Sequence, residues 1–107
     1  MKIKELTQFI EGYNKRLKEK FGGEDDQEKI ILKSTVKLTE ELGELCDEVL
    51  AVSSIQREEK MKNRDEKNLS GEFADVLIAV CMLAEDMGID LEKAVQNKIK
   101  IIKERAL

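Results

Sequence analysis

Four stretches of this chain repeat their apolar residues at steps of three and four, and no proline interrupts any of them. That spacing lines one side of an α-helix; a strand, with a period of two, would scatter the same residues over both faces. Ile3, Leu6, Phe9, Ile10, Tyr13 and Leu17 make a first amphipathic helix that should stop at Gly22 and Gly23. The acids Glu24, Asp25 and Asp26 suit the positive end of a second and longest helix, with Ile31, Leu38, Leu42, Leu45, Val49 and Val52 at helical spacing. Ser70 offers an N-cap hydroxyl to a third helix, which carries Phe73, Val76, Leu77, Val80, Leu83 and Met87 and should end at Gly88. Asp90 can cap a fourth, with Leu91, Val95, Ile99 and Ile102 facing inward. From Ser53 to Asn68 only Ile55 and Met61 are apolar, which predicts either a solvated helical extension or a mobile connection.

The expected fold is therefore all-α, a four-helix bundle in one domain spanning residues 1–107. A helical chain this short buries its faces poorly alone, so completion of the bundle by dimerisation is expected. The net charge of −4 is spread along the chain and provides no basic stripe for phosphate neutralisation, so no nucleic acid partner is expected. Lys2, Lys4, Glu5 and Glu11 break up any N-terminal signal core, and no stretch reaches membrane-spanning length. A cytoplasmic protein without a membrane partner is expected. Cys46 and Cys81 have no metal-type spacing and read as packing residues.

Set into the two central helices are carboxylate pairs, Glu41 with Glu44 and Glu72 with Asp75, each at i and i+3 and thus on one helix face. Spacing alone is weak, because Asp25 with Glu28 and Glu44 with Asp47 repeat it in the same acidic chain. Orientation says more. At roughly 100° per residue, the apolar stripe of the second helix centres some 80 to 90° from the midpoint of Glu41 and Glu44. The third helix has nearly the same offset, in the same sense, between its stripe and Glu72 with Asp75. If the two helices pack together, both pairs can border a common cleft. Glu48 and Lys37 share the stripe of Glu41 and Glu44, and Glu40 points farther round. Lys37 with Glu41 also fits an ordinary i,i+4 salt bridge with the other acids simply solvated.

Four acids in one cleft need a cation, shared protons or abundant water. Oxygen ligands without histidine or paired cysteine select a hard cation, Mg²⁺ or Mn²⁺ before Zn²⁺. Histidine is absent altogether, which excludes a helical di-iron site and any Ser-His or Cys-His nucleophile. Magnesium characteristically takes substrate phosphates as further ligands, so the cluster suits hydrolysis of a phosphate ester or anhydride. The aromatics Phe9, Tyr13, Phe21 and Phe73 read as core packing at helical spacing; an aromatic base pocket would rely on the first helix or on another subunit.

Glu40-Glu41-Leu42-Gly43-Glu44, followed by Glu72-Phe73-Ala74-Asp75, resembles the E-E-x-x-E then E-x-x-D signature of the MazG-like, all-α nucleoside triphosphate pyrophosphohydrolases. KLTEELGELCDEVL, GEFADVLIAVCMLAEDMGIDLEKA and NKIKIIKER read like that family's second, third and fourth helices, so the resemblance covers roughly residues 35 to 105. It implies Mg²⁺-dependent cleavage of a (deoxy)nucleoside triphosphate between its α- and β-phosphates, giving the monophosphate and pyrophosphate. It implies a homodimer or a dimer-of-dimers tetramer whose clefts can draw on two subunits. By position, Glu41, Glu44, Glu72 and Asp75 take the metal-ligand roles. Glu41, Glu44 and Glu40 are the candidates for handling the attacking water, and Lys37, Asn97 and Lys98 those for substrate phosphate. Phosphoribosyl-ATP pyrophosphohydrolase of histidine biosynthesis resembles the chain in size and in its glutamate-rich second helix, and a non-catalytic helical dimerisation or regulatory module is the remaining alternative.

Overall fold

The apolar periodicities become four helices, α1 (Ile3–Phe21), α2 (Gln27–Val52), α3 (Glu66–Asp86) and α4 (Leu91–Glu104), with no strand among the described residues. The computed structural model describes residues 1–21, 23–53 and 66–105. Gly22 and most of the polar connection expected between Ser53 and Asn68 lie outside them.

Helix ends follow local chemistry. Asp26 is the N-cap of α2, its carboxylate accepting from the Lys29 amide at 2.8 Å. Asp90 caps α4 in the same way, accepting from the Lys93 amide at 3.1 Å. Each satisfies a helix-end donor that would otherwise go unpaired, worth about 1 kcal/mol. Ser70 does not cap α3, which already runs from Glu66. Glu66, Lys67 and Leu69 are good helix formers, so the helix propagates backwards through Ser70 at little cost. At its other end α3 closes with paired backbone bonds, Gly88 N–H to Glu85 C=O at 3.1 Å and Ile89 N–H to Ala84 C=O at 2.9 Å. That closure puts residue 88 at φ 67°, a conformation only glycine adopts without strain.

The principal packing is α2 along α3, with α1 laid against α3 and α4 touching α1. Ser34, early in α2, bonds to Asp86 at the end of α3, whereas Glu41, about 10 Å further along α2, lies beside Asp75, earlier in α3. The two helices therefore run antiparallel. Asp86, 4 % exposed, ties three helices together. Its Oδ1 accepts from Asn14 Nδ2 at 2.7 Å and pairs with Lys18 Nζ at 3.2 Å, both on α1. Its Oδ2 accepts from Ser34 Oγ, and its backbone carbonyl from Gln27 Nε2, both on α2.

The core is thin: among the described residues Ile10, Ala51, Ala79 and Cys81 are the buried apolar ones. Leu42 and Val49 on α2, Phe73 and Leu77 on α3, and Ile99 and Ile102 on α4 were expected inside and are 40 to 56 % exposed. Each helix carries a wider apolar stripe than one neighbouring helix can cover. Cys46 is exposed too, while burial of Cys81 pushes its thiol above the ordinary range. No helix among the described residues is long and apolar enough to cross a membrane.

Candidate active site

Midway along the α2–α3 contact, Glu41 from one helix and Glu72 with Asp75 from the other present carboxylate oxygens within 4.8 Å of one another. The i,i+3 spacing puts Glu72 and Asp75 on a single face of α3, and the antiparallel packing swings Glu41 across to meet them. Glu41 is 8 % exposed. Its Oε1 is paired with Lys37 Nζ at 3.0 Å, one turn back on α2. Its Oε2 is buried and accepts no hydrogen bond, and the same holds for Glu72 Oε2.

Unsolvated oxygens beside further negative charge raise the free energy of the ionised cluster. Glu72 shows the consequence. Loss of water pushes its carboxyl above the usual range, and the charges of Glu44, Asp75, Glu41 and Glu48 push it further. The Lys37 ammonium is raised as well, in its case because the charged form is favoured: its bond to Glu41 and the Glu41 charge hold it above the usual lysine value, with smaller help from Glu40 and Glu44. This fits a divalent cation: a carboxylate-only donor set of the hard type, with buried oxygens that lack any other partner.

Of the residues singled out by sequence, three therefore converge: Glu41, Glu72 and Asp75. Glu44 is exposed and stands outside this group, although its charge has the largest effect of the neighbouring acids on Glu72. Glu48, half-buried, adds to the same field. Glu40 points to solvent, 3.9 Å from Lys37 Nζ. Asn97 and Lys98 are exposed on α4, away from the walls of the cavity beside the acids.

That cavity, about 430 Å³, is the feature that core packing did not anticipate. It is lined by Lys37 and Glu41 of α2, by Asp75, Ile78, Ala79 and Met82 of α3, and by Phe9 and Tyr13 of α1. The two rings stack with centroids 5.8 Å apart and planes 10° apart. Phe9 is 55 % exposed and Tyr13 37 %, so neither is the core residue its spacing suggested. The signal in the sequence was an aromatic pair at i and i+4, which places both rings on one helix face but does not say what that face meets.

A family model described as the MazG nucleotide pyrophosphohydrolase domain matches residues 30–106. The match covers α2 from Ile30 onward, α3, α4 and every acidic residue of the site. No curated protein and no solved structure matches the chain.

Proposed function

Because the chain belongs to the MazG nucleotide pyrophosphohydrolase family, we propose that it hydrolyses (deoxy)nucleoside triphosphates between the α- and β-phosphates, releasing the monophosphate and pyrophosphate with Mg²⁺ or Mn²⁺. The observation that carries this reading is the convergence of Glu41, Glu72 and Asp75, two of which, Glu41 and Asp75, line a cavity shared with the stacked rings of Phe9 and Tyr13.

Glu41, Glu72 and Asp75 would hold the cation, with Glu44, whose charge acts on Glu72, as the further candidate ligand. When bound, the cation offsets charge on phosphate oxygens and makes a coordinated water more acidic. Glu44 and Glu40, both solvent-facing, are the groups able to accept the proton of the attacking water and pass it to solvent. Lys37, on the cavity wall, supplies positive charge to the substrate phosphates. Asn97 and Lys98, exposed on α4, are the further candidates for substrate phosphate. Phe9 offers an exposed ring face on which a base can stack while its phosphates lie over the acids.

Dimerisation, or pairing of dimers, is supported by the large exposed side chains on α2, α3 and α4. It is supported too by a radius of gyration of 16.9 Å, against about 13 Å for a compact domain of this length. A soluble nucleotide substrate fits a cytoplasmic enzyme.

The test is pyrophosphate release from a panel of triphosphates with Mg²⁺, comparing the parent with Glu41→Gln and Asp75→Asn. Both variants should lose activity at least a hundredfold while keeping the parent helical circular dichroism. Full turnover by either would remove that residue from the site.

A further inference from the structure

Lys37 has two anchors. Its ammonium is 3.0 Å from the buried Glu41 carboxylate and 3.9 Å from the exposed carboxylate of Glu40, the adjacent residue. The Lys37 side chain is 59 % exposed, which leaves it room to change rotamer. Among the described ion pairs it is the one cation that touches the acid cluster. Glu41 Oε1 is paired with this ammonium, so a divalent ion that takes both Glu41 oxygens competes with Lys37 for one of them.

From this geometry we infer that Lys37 is a displaceable counter-cation: it neutralises Glu41 in the metal-free protein and moves to Glu40 when a divalent ion takes the cluster. The inference rests on the proposed cation site and adds a positioning role for two residues that hold no metal themselves. Glu40 thereby acquires a role separate from the proton transfer proposed for it, that of receiving the displaced ammonium. The relay involves no bond-making beyond exchange of one ion pair for another. Its cost is set by the difference between the two pairs, and an exposed ion pair changes an equilibrium by up to about fivefold.

Mn²⁺ titrations of the full chain, followed calorimetrically at fixed pH and ionic strength, test this. Lys37→Met, which keeps the aliphatic stem, should bind Mn²⁺ two- to fivefold more tightly than the parent, because nothing competes for Glu41. The same variant should melt lower than the parent when metal-free. Lys37→Arg should stay within twofold of the parent affinity. Glu40→Gln should weaken Mn²⁺ binding in the parent background and leave it unchanged in the Lys37→Met background. Unchanged or weaker binding by Lys37→Met overturns the counter-cation role. Equal weakening by Glu40→Gln in both backgrounds overturns the relay, since a simple loss of nearby negative charge acts the same way in each. Failure of the parent itself to bind Mn²⁺ would overturn the cation site, and this inference with it.

Discussion

Replacing Asp86 by alanine should cost about 3 kcal/mol of stability, a large share of what a domain of this size has to lose. The side chain is 1 % exposed, and its two oxygens serve Asn14, Lys18 and Ser34 on two neighbouring helices. Hydrogen bonds to an ionised group are worth about 1.5–3 kcal/mol each, but these three share one carboxylate and do not add. Lys18, 40 % exposed, can rehydrate when released and contributes under about 1 kcal/mol. Asn14, 5 % exposed, cannot; its amide would be left buried without its acceptor, at about 1–3 kcal/mol. The bond from Gln27 to the Asp86 backbone carbonyl survives. With an m-value of about 2 kcal/mol/M, the urea midpoint should fall by about 1.5 M. Asp86→Asn should lose about half as much, since the Ser34 hydroxyl can rotate to accept from the new amide while Asn14 keeps an oxygen. Protein concentration must be held constant across the series, because association through the exposed helix faces would feed into the midpoint. A loss below about 1 kcal/mol for Asp86→Ala would refute the pinning argument. So would an Asp86→Asn variant as damaged as the alanine.

The raised Glu72 carboxyl predicts a pH signature in metal-free protein. Between the ordinary glutamate range and the raised value, the folded state holds a proton that the unfolded state has lost, so stability falls as pH rises through that window. Glu72→Gln should remove this slope, and parallel stability-against-pH curves for parent and variant would contradict it. Phe9→Ala, at a site 55 % exposed, should leave the melting temperature nearly unchanged and raise KM for triphosphates about tenfold, the scale of one lost base-stacking contact; an unaltered KM would remove the ring from the substrate site. Light scattering after gel filtration should give at least twice the monomer mass of 12.2 kDa, and a monomer at micromolar concentration would show that the exposed apolar faces need no partner.

The sequence determined the helices, because their causes are local. Three- and four-residue apolar spacing, the aspartates at 26 and 90 and the glycine at 88 each act within a turn or so of where they stand. Ser70 is the exception that follows the same logic, since its capping tendency was outweighed by the helix formers before it. Glu41, Glu72 and Asp75 were legible too, as residues bordering the core at equal offsets on two helices. Tertiary structure decided which of the acids actually meet. Antiparallel packing of α2 on α3, fixed in part by Ser34 and Asp86, brings Glu41 to Glu72 and Asp75 and leaves Glu44 outside at the rim. It also turned Phe9 and Tyr13 from expected core into a cavity wall, because a ring's burial depends on which helix lies opposite, and no spacing along α1 contains that information. Helical periodicity says which residues share a face; the contact between distant parts of the chain says what that face confronts.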